Sequence, residues 1–141
     1  MTLAISQEFV DAIVAQAYSE LPNEACGVIL GPAGSGEAKK LKPMVNIAAS
    51  PVFYEFASHD LLALYRGLDD DDEEIVVVYH SHPTSQAHPS SSDIAYAGEP
   101  GAHYVLVSTR EAIAPEVEFR SFRIIEGAVT EEEIVISPAS Q

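Results

Sequence analysis

The sequence predicts a single domain of the α/β or α+β class, in which a mixed β-sheet is flanked by helices. Two apolar runs, Ile75–Tyr79 and His103–Ser108, are continuous enough to predict strands that are covered on both faces. Two alternating segments joined by Glu126–Gly127 predict a hairpin near the carboxyl end. Two or three helices against six or seven strands are typical of helices packed on a sheet as a sandwich.

In the first half of the chain, segments with helical spacing of apolar residues alternate with short apolar runs. A serine can cap each helix, because its hydroxyl accepts a hydrogen bond from a free backbone N–H of the first turn. Glycines 31, 34 and 36 predict the turn of a hairpin. The predicted elements are a helix capped by Ser6 and running to about Leu21, strands at Ala25–Leu30, Lys39–Ile47 and Val52–Phe56, and a helix capped by Ser58 with apolar residues from Leu61 to Leu68.

In the second half, six consecutive carboxylates at Asp69–Glu74 lack the glycine-centred spacing of a calcium-binding EF-hand. We interpret them as a solvated connection between helix and strand. The remaining predicted elements are the strand Ile75–Tyr79, a short helix capped by Ser90 or Ser91 and ending at Gly98, strands at His103–Ser108, Val117–Ile125 and Val129–Ile136, and a frayed tail over residues 136–141.

Composition narrows the classes of partner. The chain of 141 residues has the length of one domain, so we expect a single domain over residues 1–141. The 22 acidic residues outnumber the 7 Lys and Arg, and the net charge of -15 repels phosphate backbones and anionic lipids. We therefore expect neither nucleic acid nor a membrane as a partner. A single cysteine, Cys26, and the lack of a signal-peptide pattern or a membrane-spanning run predict a cytoplasmic location.

A metal-ligand pattern follows the strand Ile75–Tyr79. His80 and His82 are two residues apart, so both imidazoles point to the same side of an extended chain. The pair alone is a weak signal, but Pro83 would end the strand and Asp93 can return from the next turn as an oxygen ligand. Two His and one carboxylate leave a fourth tetrahedral position open, which distinguishes catalytic zinc from structural zinc.

The residues His80-x-His82-Pro83 and Ser90-x-x-Asp93, with an upstream Glu24, resemble the signature of the JAMM (MPN-plus) metalloproteases. The resemblance implies a single JAMM/MPN domain with a cytidine-deaminase-like sandwich and one zinc ion per chain. It further implies that His80, His82 and Asp93 bind the zinc, that Glu24 is the general acid/base, and that Ser90 donates to the oxyanion. By residue type alone, Ser91 or Ser92 could be that donor.

Four further segments are similar to the actinobacterial peptidases that cleave cysteine from a sulfur-carrier protein: Asn23–Val28, Tyr79–His82, His103–Arg110 and Arg123–Thr130. This similarity implies zinc-dependent hydrolysis after the C-terminal Gly-Gly of a ubiquitin-like sulfur carrier, with release of cysteine for cysteine biosynthesis. One alternative is a JAMM isopeptidase or a carrier-precursor processing protease with another leaving group. A non-enzymatic alternative is a metal-binding MPN interaction module. The oligomeric state stays open, including a homodimer.

Four other residues could take part in such a site. His88 lies in the loop before Asp93, and we expect it to face solvent rather than to be a fourth ligand. Cys26 lies in an apolar run, which favours a small core residue over a metal ligand. We expect His59 and His103 only to begin a helix and a strand.

Overall fold

A seven-stranded mixed sheet is the centre of the protein in the computed structural model, which describes residues 1–138. The helices and strands are β1 (Thr2–Ser6), α1 (Gln7–Ser19), β2 (Cys26–Pro32), β3 (Lys40–Met44), α2 (Ser58–Asp71), β4 (Glu73–His82), α3 (Ser91–Tyr96), β5 (His103–Ser108), a 3-10 turn (Glu111–Ile113), β6 (Glu118–Ile125) and β7 (Ala128–Ser137). The strand order is β1-β7-β6-β5-β4-β2-β3. The predicted mixed sheet with flanking helices is confirmed.

Strand β4 lies inside the sheet, antiparallel to β2 and parallel to β5. On one face Leu64 of α2 packs in the same buried cluster as Val78 of β4. On the other face Ile13 of α1 packs with Val77. The prediction that this strand is covered on both faces is therefore confirmed. Its carboxyl end lies beside the beginning of β2, where Cys26 is paired with His80.

The segment Val52–Phe56 is not a strand, contrary to the prediction from its composition. Among residues 1–138, its one ladder contact is an isolated bridge between Phe56 and Asn46. Tyr54 and Phe56 are 3% and 9% exposed. This segment contains aromatic residues because their side chains fill the core beneath α3, and the segment is not part of the sheet.

Strand β1 was not predicted, because its five residues look like the approach to a helix when the parallel partner β7 is unknown. The same pairing corrects the predicted frayed tail, since Ile136 and Ser137 lie in β7 opposite Ile5 and Ser6. Residues 139–141 lie outside the described part of the chain.

Smaller differences concern helix ends. Helix α1 ends at Ser19 rather than near Leu21, although Ser6 caps it as predicted. The residue before α2 is Ala57, and in the described part of the chain no side chain caps that helix, so the prediction of a Ser58 cap is wrong. The acidic run is divided between the end of α2 and the start of β4, with Asp72 in a left-handed conformation between them.

Within residues 1–138, no helix is long and apolar enough to cross a membrane.

Candidate metal centre

Two imidazoles meet at the carboxyl end of β4. His80 and His82 are among the last residues of the strand, and their Nε2 atoms lie 3.2 Å apart. Both residues are buried, at 2% and 4% exposure. Burial lowers the pKa of His80, although Asp93 opposes the shift, and this favours the neutral ring that a metal requires.

Asp93 reaches these histidines from the first turn of α3. Ser90 caps this helix: its Oγ accepts a hydrogen bond from the Asp93 N–H at 3.1 Å, and the Ser90 N–H donates to Asp93 Oδ2 at 2.9 Å. The same Oδ2 lies 3.1 Å and 3.0 Å from the Nε2 atoms of His80 and His82. Although burial opposes ionisation, hydrogen bonds from the two histidines hold the pKa of Asp93 well below its usual range.

The three ligand atoms fit a single metal ion. They lie within 4.8 Å of one another, and their closest separations are 3.0 to 3.2 Å. Zinc bonds of about 2.0–2.1 Å in a tetrahedron would place neighbouring ligands about 3.3 Å apart. Two imidazoles and a carboxylate are also a donor set that suits zinc. The predicted ligands His80, His82 and Asp93 are thus brought together by the fold.

Glu24 lies just before β2, and the fold buries it beside this cluster. It is 2% exposed, and its Oε1 has no hydrogen-bond partner in the part of the chain that the structure describes. Its backbone is fixed, since its N–H donates to the Ser50 carbonyl at 2.9 Å and its carbonyl accepts from Asn46 Nδ2 at 3.1 Å. Burial raises the pKa of Glu24 from 4.5 to about 8; His82 opposes the shift and Asp93 adds to it.

This pKa predicts that the metal-free protein loses stability as the pH rises. The unfolded chain releases the Glu24 proton near pH 4.5 and the folded chain only near pH 8, so the contribution is complete below pH 4.5 and declines up to about pH 8. In the wild type, the free energy of unfolding should fall by roughly 3–5 kcal/mol over this range, and in Glu24→Gln this fall should be absent. Denaturant unfolding in the presence of a chelator at several pH values measures the free energy of unfolding, and exposed Glu20→Gln is the control. Parallel pH profiles for Glu24→Gln and wild type would contradict it.

A family model described as prokaryotic homologs of the JAB domain matches residues 6–125 of this chain. The chain belongs to the prokaryotic JAB family. Among its curated relatives is the CysO-cysteine peptidase of Mycobacterium tuberculosis, 48% identical over 132 residues that cover 94% of this chain and 89% of the relative. The desampylase of Haloferax volcanii is 30% identical over 111 residues, covering 75% of this chain and 80% of that protein.

Solved structures have the same fold as this JAB domain. Protein DSY2949 of Desulfitobacterium hafniense matches with a TM-score of 0.81 and 26% identity, covering 99% of this chain and 94% of that one. A structure described as a JAMM metalloprotease-like zinc site in the proteasome and signalosome matches with a TM-score of 0.53 and 18% identity, covering 96% and 99%. At that identity the second likeness concerns the fold alone.

Of the three serines before Asp93 in this JAB domain, Ser90 is the one that contacts the aspartate. Its oxygen accepts a hydrogen bond from the Asp93 N–H, and its own O–H has no acceptor among residues 1–138, so it can donate. Ser91 and Ser92 are exposed in the first turn of α3. The structure therefore distinguishes Ser90 from its neighbours, which residue type alone could not do.

The remaining candidates lie outside the ligand cluster of this JAB domain. His88 is exposed, and its ring packs edge-on against Phe122. Cys26 is fully buried as a free thiol in the core. His59 lies in the first turn of α2, and His103 begins β5, as predicted. The contact of His103 Nδ1 with buried Glu132, at 2.6 Å, had no sequence signal.

Sequence reasoning also missed the residues that support this centre. Ser81 lies between the two histidines, and its Oγ accepts a hydrogen bond from the Ala25 N–H at 2.7 Å, while its own N–H donates to the Ala25 carbonyl. Tyr54 stacks on His80. In the sequence, the position of Ser81 between the two predicted histidine ligands is the one signal that it supports the site. The stacking of Tyr54 on His80 has no sequence signal, because it depends on the fold.

Proposed function

We propose that this protein is a zinc-dependent peptidase that hydrolyses the bond after the C-terminal Gly-Gly of a ubiquitin-like sulfur-carrier protein and releases cysteine. His80, His82 and Asp93 would bind one zinc ion per chain. The observation that best supports this is the buried carboxylate of Glu24, with an unpartnered oxygen, beside three converging ligand atoms. The 48% identity to a mycobacterial CysO-cysteine peptidase supports the substrate.

Glu24 is proposed as the general acid/base. Zinc, when bound, supplies a Lewis acid that makes a water molecule a sufficiently strong nucleophile at neutral pH. Glu24 would accept the proton of the attacking water and give it to the leaving amine. The buried Glu24 carboxyl is suited to this task, because its Oε1 has no hydrogen-bond partner among residues 1–138 and can take up the proton.

Ser90 is proposed as the oxyanion donor, since its O–H is free while its oxygen caps α3. Ser90→Ala should lower kcat by roughly 100- to 1,000-fold and leave KM nearly unchanged, because the lost hydrogen bond forms mainly in the transition state. Loss of the cap should cost about 1 kcal/mol of stability. Steady-state kinetics of zinc-loaded protein measure the first effect. Exposed Ser91→Ala is the matched control, and equal kcat values for the two variants would exclude Ser90 from this role.

The carrier would dock beside Glu24. The segment after β3 holds the Glu24 backbone through Asn46 and Ser50, and it exposes Val45, Ile47 and Val52 at 65%, 51% and 70%. β3 is an edge strand of the sheet, so an extended tail can add to it through backbone hydrogen bonds. Glycines would let such a tail approach the site closely.

We also propose a cytoplasmic location, which the buried free thiol of Cys26 supports.

Mass spectrometry of a carrier–cysteine adduct tests the proposal. After incubation with zinc-loaded protein, the adduct should lose the mass of one cysteine residue and leave a carrier that ends in Gly-Gly. The same reaction with a chelator is the control. An adduct that stays intact with protein of stoichiometric zinc content would refute the release of cysteine by this protein.

The relation to desampylase, at 30% identity, favours one alternative: an isopeptidase with another leaving group. A carrier joined through Gly-Gly to a lysine side chain distinguishes the two activities. Faster cleavage of this conjugate than of the cysteine adduct would favour the alternative.

A further inference from the structure

The two histidines of the metal centre are oriented differently. His82 Nδ1 lies 2.8 Å from the Gln86 carbonyl, so a hydrogen bond fixes its ring. Metal-binding histidines ordinarily have such a partner on the second nitrogen. His80 Nδ1 is buried and has no hydrogen-bond partner among residues 1–138. Another contact must therefore fix the plane of the His80 ring.

That contact is the aromatic face of Tyr54. The Tyr54 and His80 rings stack with centroids 4.4 Å apart and an interplanar angle of 25°, and Tyr54 is 3% exposed. A stacked ring resists rotation of the imidazole and leaves the Nε2 edge free. Stacking thus does for His80 what the Gln86 carbonyl does for His82.

Tyr54 also contacts the helix that presents the third ligand. Its ring meets Tyr96 edge to face, with centroids 5.2 Å apart and an interplanar angle of 87°. Tyr96 lies in α3, three residues after Asp93, and its Oη accepts a hydrogen bond from the Phe56 N–H at 3.2 Å. Tyr54 is therefore wedged between β4 and α3, the two elements that contain the ligands.

We propose that Tyr54 is a positioning residue of the metal centre, which orients His80 by stacking and sets its place relative to Asp93. The inference rests on the proposed zinc site. The aromatic ring of Tyr54 is then needed to hold His80 in place, whereas its hydroxyl is dispensable. Tyr54→Leu should therefore weaken zinc binding by roughly 10- to 100-fold, the usual effect of losing an outer-shell partner. Tyr54→Phe should keep an affinity close to that of the wild type.

Competition with a chromogenic chelator measures the zinc dissociation constants. Phe53→Leu is the matched control. The Phe53 ring also meets Tyr96, with ring centroids 6.0 Å apart, but it does not stack on His80. The visible spectrum of the cobalt(II)-substituted protein should change in Tyr54→Leu and persist in Tyr54→Phe and Phe53→Leu. Thermal unfolding in chelator separates this effect from a loss of core packing.

Unchanged zinc affinity in Tyr54→Leu would overturn the proposal, and so would an equal loss in Tyr54→Phe. If Tyr54→Leu does not fold, proton NMR of the metal-free wild type decides, since stacking must shift the His80 ring protons upfield; ordinary shifts would overturn the proposal. Failure of the wild type to bind zinc would refute the metal site itself, a result distinct from any ratio between variants.

Discussion

Glu24→Gln is expected to lower kcat for hydrolysis of the carrier–cysteine adduct by about 100- to 10,000-fold while the protein keeps its zinc. The amide has the shape of the carboxylate and fits the same buried position, but it cannot accept a proton from water. Glu24 is not among the three converging ligands, so metal binding should survive. Steady-state kinetics and metal analysis of the same preparation measure both quantities.

Glu20→Gln is the matched control, because Glu20 is a nearby exposed carboxylate of the same chain segment. It should leave kcat and zinc content unchanged. Full activity of Glu24→Gln would exclude Glu24 as the acid/base. Loss of zinc together with activity would instead make Glu24 part of the metal site.

Asp93→Asn is expected to abolish both zinc binding and hydrolysis. Its amide oxygen can still accept the hydrogen bond from the Ser90 N–H, so the cap of α3 should persist. The anionic oxygen that lies between the two histidines is lost. Zinc affinity should fall by more than the roughly 10- to 100-fold typical of an outer-shell contact.

Thermal unfolding with and without zinc measures this loss. Zinc at 100 times its dissociation constant should stabilise the wild type by about 2.7 kcal/mol and Asp93→Asn by almost nothing. Ser92→Ala, an exposed change in the same helical turn, should behave like the wild type. Zinc binding by Asp93→Asn as tight as that of the wild type would exclude Asp93 as a ligand.

Local patterns were sufficient for much of the fold. The boundaries of β5 match the apolar run His103–Ser108, and β6 and β7 form the hairpin that Glu126–Gly127 predicts. A serine cap on α3 followed from the preference of serine for helix starts, and the structure assigns it to Ser90 rather than Ser91. These features depend on hydrophobic period and turn chemistry, which neighbouring residues determine.

Features that depend on distant partners could not be predicted. β1 exists because β7, at the other end of the chain, pairs with it. Tyr54 looks like a strand residue until the fold places its ring on His80. Likewise the spacing of His80 and His82 predicts one side of one strand, but the position of Glu24 follows from the pairing of β2 with β4, in which Cys26 lies opposite His80.

With Glu24 as the proposed acid/base, the paired hydrogen bonds between Ser81 and Ala25 link catalytic activity to strand alignment. A slip of β2 by one residue along β4 would turn its side chains to the opposite face of the sheet. Glu24, one residue before Ala25, would then no longer lie beside the ligand cluster. A misaligned molecule could be compact and helical yet inactive, so turnover per molecule counts the natively aligned fraction of a refolded sample.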